Sequence, residues 1–280
     1  MNLLDAVVLF LGAMMAGLLN SVAGGGSFFS FPALLFTGVR PIPANATSTV
    51  AIWPGSAAAI GAYWSKLPRR AAIMAPLIAS SVVGGLLGAL ILLRTPQATF
   101  MHLVPYLFLV ATLLFTFGNR LSRRGNTSDH ESAPAPILQE LEPDAKSGRD
   151  ARAPRQSETP SHLPIIGAAL VQFVIALYGG FFGGGIGILM LAMLSIVRVG
   201  DIHTMNALKS LLAAAINGAA VVTFIVAGAV VWPQALLMIA GAVLGGYGGA
   251  HFAQKLKPAL VRGFVIVVGF SMTAYFLWKY

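Results

Sequence analysis

Cysteine is absent from the 280 residues, and carboxylates are nearly so. Without cysteine there is no disulfide, no thiolate nucleophile and no Cys-ligated metal. Nine acidic residues stand against eighteen basic ones, and the stretch 119–163 holds seven of each. Everything outside it carries two carboxylates, Asp5 and Asp201, with a net charge of +9. That leaves no carboxylate pair for general acid–base or metal chemistry and no Asp/Glu path for protons or sodium. The nucleotide loop G-x-x-x-x-G-K-[ST] and the zinc pattern H-E-x-x-H are missing too. The expectation is therefore of no cofactor, no metal and no catalytic residue. Met1–Asp5 has no basic n-region, so no signal peptide is expected.

What is present is apolar. Hydrophobic residues make up 57% and charged residues 10%, against about 45–50% and about 25% in soluble domains. The partner this implies is a lipid bilayer, with no nucleic-acid partner. Measured against a span of about 20 apolar residues, full-length candidates fall at 3–22, 45–64, 71–93 and 98–118, then at 164–182, 204–228, 232–254 and 259–278. Two shorter runs, 28–37 and 188–197, each follow a glycine cluster directly. At about 1.5 Å per residue each covers half a hydrocarbon core, so they read as half-helices. The expected fold is an all-α polytopic membrane protein of about eight full-length transmembrane helices plus two half-helices. Rich in Pro, Ser, Glu and Arg, 119–163 reads as a disordered cytoplasmic linker and tether between a first transmembrane unit, 1–118, and a second, 164–280.

The two units repeat each other. Gly24-Gly25-Gly26, Asn45-Ala46 and Gly84-Gly85-x-x-Gly88 recur without a gap, 161 residues on, as Gly185-Ile186-Gly187, Asn206-Ala207 and Gly245-Gly246-x-x-Gly249. A duplicated membrane unit with a Gly-broken segment in each half is the pattern of a transporter. Basic residues set the orientation. They cluster at Lys66, Arg69 and Arg70 in the first half, but at the following loop, Lys255, Lys257 and Arg262, in the second. With both clusters and Arg120, Arg123 and Arg124 in the cytoplasm, each half crosses an odd net number of times and the repeats are inverted. Four plain spans per half would give parallel repeats, and would strand one basic loop outside.

Two kinds of residue carry possible chemistry. The breaks Gly24-Gly25-Gly26-Ser27 and Gly183-Gly184-Gly185-Ile186-Gly187 expose amides at a half-helix start, where the helix dipole favours an anion. Close packing is the other use of such glycines, and it accounts for the mid-span sets at Gly84 and Gly245. The spans that follow open on Asn45, Thr47 and Ser48, and on Asn206, Lys209 and Ser210. These are ordinary capping residues, or neutral donors to an oxyanion at membrane depth. Lys209 either snorkels to the cytoplasmic interface or turns inward to neutralise an anion. His102 and His251 lie near span ends, and Trp53, Trp64, Trp232 and Tyr275 read as belt or packing residues. A Ser27 nucleophile with His102 or His251 would make a hydrolase, but no residue orients the base.

At these residues the chain resembles the TauE/SafE family of sulfite-exporter-like transporters, also called the toluene-sulfonate uptake permease family. The resemblance lies in Gly17-x6-Gly24-Gly25-Gly26-Ser27-x4-Pro32-Ala33-Leu34-Leu35, in Thr37-Gly38, and in Pro41-x-x-Ala44-x-Ala46-Thr47-Ser48. A looser second copy spans 179–187, and both halves but not the linker are covered. Met193 replaces the expected Pro and Leu208-Lys209 the Thr-Ser pair, so the half-sites are unequal, and the linker is long for the family. The resemblance implies a multi-pass transporter in the cell membrane for a small anionic substrate such as sulfite or an organosulfonate. An anion channel or a structural subunit of a membrane complex is the other reading of the same segments.

Overall fold

The structure is a computed structural model, and it describes residues 1–22, 25–63, 71–124, 162–197, 202–252 and 258–279. Ten helices occupy them: α1 (Leu3–Val22), α2 (Ser27–Phe36), α3 (Pro41–Tyr63), α4 (Ala71–Arg94), α5 (Gln97–Arg124), α6 (His162–Phe181), α7 (Ile186–Ile196), α8 (Ile202–Val226), α9 (Trp232–Phe252) and α10 (Pro258–Lys279). Among the described residues four helices are long and apolar enough to cross a membrane on those grounds alone, in α1, α4, α5 and α8. The short helices α2 and α7 follow the two glycine breaks. Helix α3 begins at Pro41, four residues ahead of the expected span. Proline suits the first helical position, since its missing N–H would have no helical acceptor there. Helix α5 continues to Arg124 and α6 starts at His162, while 125–161, the basic loop at 66–70, Lys255, Lys257 and Asp201 lie outside the described residues.

Glycine decides how the long helices meet. Helix α4 lies on α6, where a Cβ at Gly84 would stand 2.6 Å from the Ala176 methyl and 2.8 Å from the Phe173 carbonyl oxygen. One at Gly88 would run into the Leu177 carbonyl. Helix α1 lies on α9 in the same manner, with Gly245 against the Met14 carbonyl and Gly17 against that of Ala242. Gly85 faces α8, 2.6 Å from the Ile216 carbonyl oxygen. Backbones this close gain dispersion contacts that lipid does not offer, which is the packing use of small residues. Gly246 makes only an ordinary contact, 3.8 Å from the Gly17 carbonyl oxygen, and the packing face of Gly249 is outside the described residues. Some polar groups inside the bundle are tied across helices, as membrane burial favours. Buried Gln172 on α6 donates to Ser81 Oγ on α4 at 2.8 Å, and Ser81 donates to the Leu77 carbonyl.

Two hydrogen bonds fix the helix directions. The Val231 amide, just ahead of α9, donates to Thr47 Oγ1 in the second turn of α3 at 3.0 Å. The Ile42 amide donates to Gln97 Oε1 at the start of α5, also at 3.0 Å. The starts of α3, α5 and α9 thus share one end of the bundle. Helix α8 finishes at that end, so α3 and α8 run antiparallel. So does α10, whose Tyr275 ring packs edge-on against Phe36 at the close of α2, and α10 therefore opposes α5. A phenylalanine cluster surrounds α2: Phe28 packs edge-on against Phe108 and Phe115 of α5, and Phe31 against Phe100 and Phe182.

Candidate functional site at the helix breaks

The two breaks converge on the middle of α5. Gly25 sits where an added Cβ would touch Phe115 at 3.0 Å, while Gly184 and Gly185 face Ala111 at 3.4 Å and 3.5 Å. Those two α5 positions are one helical turn, about 6 Å, apart. Gly24 lies outside the described residues. Both half-helices then lead away from this point, so their positive ends face the interior of the bundle.

The second break is the more open of the two. Gly183 and Gly185 take left-handed backbone angles, φ +82° and +77°, which a side chain would oppose. Gly185 caps α7 and has no side chain with which to satisfy the first-turn amides; the Ile188 amide turns back to the Gly185 carbonyl at 3.1 Å, so only the amides ahead of it lack an acceptor within their own helix. Space beside this turn is taken by Lys209. A Cβ at Gly187 would lie 3.5 Å from Lys209 Cδ, so the lysine stem crosses the first turn of α7. Its Nζ donates to Asn206 Oδ1 at 3.2 Å, on the same face of α8. The side chain is directed toward the start of α8, along the inner surface against α7. Ser210 Oγ donates to the Asn206 carbonyl at 2.9 Å, one turn back along its own helix.

The first-half donors are placed differently. Gly26, with ordinary helical angles, caps α2 without a side-chain bond, and an added Cβ would stand 2.8 Å from the Ala16 carbonyl oxygen. Ser27 opens α2 half-buried. Ser48 is joined to this break through Ser30, their hydroxyls 2.6 Å apart, with Ser30 donating to the Gly26 carbonyl at 3.2 Å. Asn45 instead serves the other break, since its Nδ2 donates to the Phe181 carbonyl at 3.1 Å and so closes the end of α6. Thr47 accepts from the Val231 amide. Asn45, Thr47 and Ser48 are all buried. None of the three is the N-cap of its own helix, because α3 has already begun at Pro41.

Three further polar residues border the breaks that sequence reasoning did not single out. Asn20 Nδ2 donates to Ser56 Oγ at 2.9 Å, tying α1 to α3 just before the first break. Asn217 Oδ1 stands 4.0 Å from where a Cβ of Gly183 would be, beside the second break. Ser56 and Asn217 are 161 positions apart, the offset of the repeat, and this in-step pair of mid-span polar residues was the available signal. His102, by contrast, is exposed on α5. Thirteen residues, about 20 Å of helix, separate it from Phe115, beside which α2 starts. The His251 side chain is outside the described residues. Among the described residues no three His, Asp or Glu side chains gather as a metal site.

Apolar helices of spanning length, glycine-mediated backbone contacts and internally tied polar groups define a multi-pass membrane protein. The chain belongs to the family described as Sulfite exporter TauE/SafE, whose profile matches residues 9–276. It is 26% identical over 271 residues to a "Probable membrane transporter protein" of Haemophilus influenzae, covering 95% of this chain and 92% of that one. It is 26% identical over 272 residues to "Probable membrane transporter protein YfcA" of Escherichia coli strain K12 (97% and 89%). A third relative, "Probable membrane transporter protein ORF9" of a Sinorhizobium species, is 25% identical over 265 residues (94% and 89%). No solved structure matches the chain.

Proposed function

We propose that this protein is a secondary transporter or facilitator that moves a small anion, sulfite or an organosulfonate, by alternating access between two inverted repeats. The observation that carries the anionic substrate is the Lys209 side chain laid across Gly187, in the first turn of a half-helix whose amides no side chain caps. A cation, the leading amides of α7 and a helix dipole then act on one point with no carboxylate opposing them: Asp5 is the single carboxylate among the described residues. Asn206, Asn217 and Asn45 border the same break and add neutral amide groups. In this reading 1–118 and 164–280 are the repeats, 119–163 is their cytoplasmic tether, and the shared end of α3, α5 and α9 faces outward.

The inverted relation is supported by helix pairing. Setting α1–α5 against α6–α10 in order, the α1–α9 contact corresponds to α6–α4, α3–α9 to α8–α4, α1–α2 to α6–α7, and α2–α3 to α7–α8; each of these pairs is packed. The matched helices α3 and α8 oppose each other in direction, as do α5 and α10. Transport names among the relatives, with His102 well along α5 from the start of α2 where Ser27 stands, favour a transporter over a hydrolase.

Counterflow in proteoliposomes tests the reading. Vesicles preloaded with sulfite or a short organosulfonate should accumulate the labelled anion with saturable kinetics. Non-saturable flux without counterflow would make the protein a channel, and no flux of any anion would leave a structural role.

A further inference from the structure

A cavity of about 260 Å³ opens at the bundle end shared by the starts of α3, α5 and α9. It lies away from the glycine breaks, between the α2–α3 turn and the last turn of α10. Arg40 and Lys279 stand on its rim, and Phe36, Val39, Tyr275 and Phe276 form its apolar wall. The Lys279 ammonium is held in place: Nζ donates to Tyr275 Oη at 3.1 Å and lies 5.4 Å from the centre of that ring. Arg40 is exposed, and no carboxylate among the described residues pairs with it. Phe36 in that wall is 52% exposed, and Trp278, next to Lys279 in the chain, is 88% exposed. Two cations from separate elements, backed by aromatics that continue to the lipid-facing surface, match one ligand chemistry: a phosphate-type oxyanion carrying an apolar tail. Tyr, Trp, Lys and Arg together mark headgroup depth, where phospholipid phosphate is the abundant oxyanion.

We infer that the Arg40–Lys279 cavity binds the phosphate of an anionic phospholipid, whose chains run down past Phe36. Bound there, the lipid would clamp the α2–α3 turn to α10. The site depends on membrane localisation alone, so a protein that moved no anion would still bind lipid.

Thermal unfolding of the full chain in detergent, titrated with phosphatidylglycerol or phosphatidylcholine, tests this, with lipid retention by native mass spectrometry as a second readout. Phosphatidylglycerol should raise the unfolding midpoint saturably and phosphatidylcholine should not. Arg40→Ala and Lys279→Ala should each raise the half-saturating lipid concentration roughly fivefold, the net worth of about one hydrogen bond. Arg94→Ala, which removes an exposed cation outside the cavity, should leave it unchanged. An equal response to phosphatidylcholine, or equal losses in all three variants, would overturn the site. Glycerol phosphate and methanesulfonate form the soluble arm: a midpoint shift with them that Arg40→Ala abolishes, without a lipid effect, would make the cavity a mouth for free anions and refute the lipid inference.

Discussion

The indole Nε1 of Trp53 donates to the Ala214 carbonyl at 3.1 Å across the crossing of α3 and α8, and the two residues are 161 positions apart. That separation equals the offset between the sequence repeats, so Trp53 touches its own counterpart. Only residues close to a twofold axis can do so, and this contact supports an axis through the crossing. Gly218 makes room for the ring, since its missing Cβ would stand 3.4 Å from Nε1.

Trp53→Phe keeps an aromatic ring at the crossing and deletes the donor. We expect a destabilisation of about 1 kcal/mol, the usual net worth of one hydrogen bond, read from thermal unfolding in detergent with membrane insertion unchanged. Gly218→Leu should cost more, because it fills the space under the ring and forces the helices apart. If both variants melt with the wild type, the crossing is not held by this contact.

The mid-span glycines give a test with internal controls. Gly88→Ala and Gly245→Ala drive a methyl into the carbonyls of Leu177 and Met14, and overpacking of this kind costs about 1–3 kcal/mol or more. Gly167 and Gly263 have no heavy atom near their missing Cβ. Their alanine variants should fold at least as well as the parent, since alanine favours helix by about 1 kcal/mol. Equal yields and melting points for all four would remove close backbone approach as the reason for the glycines.

Much of the architecture was legible in the chain. All ten helices, their order, the two half-length segments and the packing use of Gly84, Gly85, Gly88 and Gly245 follow from apolar run length and residue size. The hydrogen-bond partners of the first-half polar residues were not. Asn45 and Thr47 find their partners 136 and 184 residues away, and no local pattern announces a bond made across the bundle. Helix α5 passes the expected boundary at 118 because apolarity marks where lipid ends, whereas a helix continues as long as its backbone bonds do. Lys209 was legible as an anomaly, a charge inside an apolar span, but its packing against Gly187 needed the fold.

Topology is open to direct measurement on a chain without native cysteine. Single cysteines introduced as Ser65→Cys and Gln254→Cys, beside the two basic loops and outside the described residues, should react with a membrane-impermeant thiol probe from the same, cytoplasmic side. An antiparallel α3 and α8 require this. Labelling from opposite sides would sink the inverted arrangement.

At the breaks, Gly185→Leu should abolish counterflow while the protein still inserts. The side chain must be held at a left-handed φ and must enter the space before Ala111. Gly25→Leu meets Phe115 and Val265 instead and should do the same through packing. Normal flux through both variants would reduce the breaks to structural turns.

The sign of the substrate rests on Lys209, and its variants separate charge from shape. Lys209→Ala leaves the first turn of α7 without its cation, so the half-saturating anion concentration should rise tenfold or more, since a hydrogen bond to a charged group is worth about 1.5–3 kcal/mol. Lys209→Arg keeps the charge and should retain most of the affinity. At Gly187 an added Cβ alone would already be in van der Waals contact with Lys209 Cδ at 3.5 Å, so the larger side chain of Gly187→Leu occupies the path of the lysine stem and should reproduce the alanine phenotype with the lysine still present. Asn206→Ala removes the acceptor that holds Nζ and should produce a smaller loss, repairable in part by Asn206→Gln. A lysine that merely reached for the interface would tolerate all four changes. Wild-type saturation curves across the set would therefore remove Lys209 from the site, whereas a loss shared by Lys209→Ala and Gly187→Leu but not by Lys209→Arg places its charge on the anion.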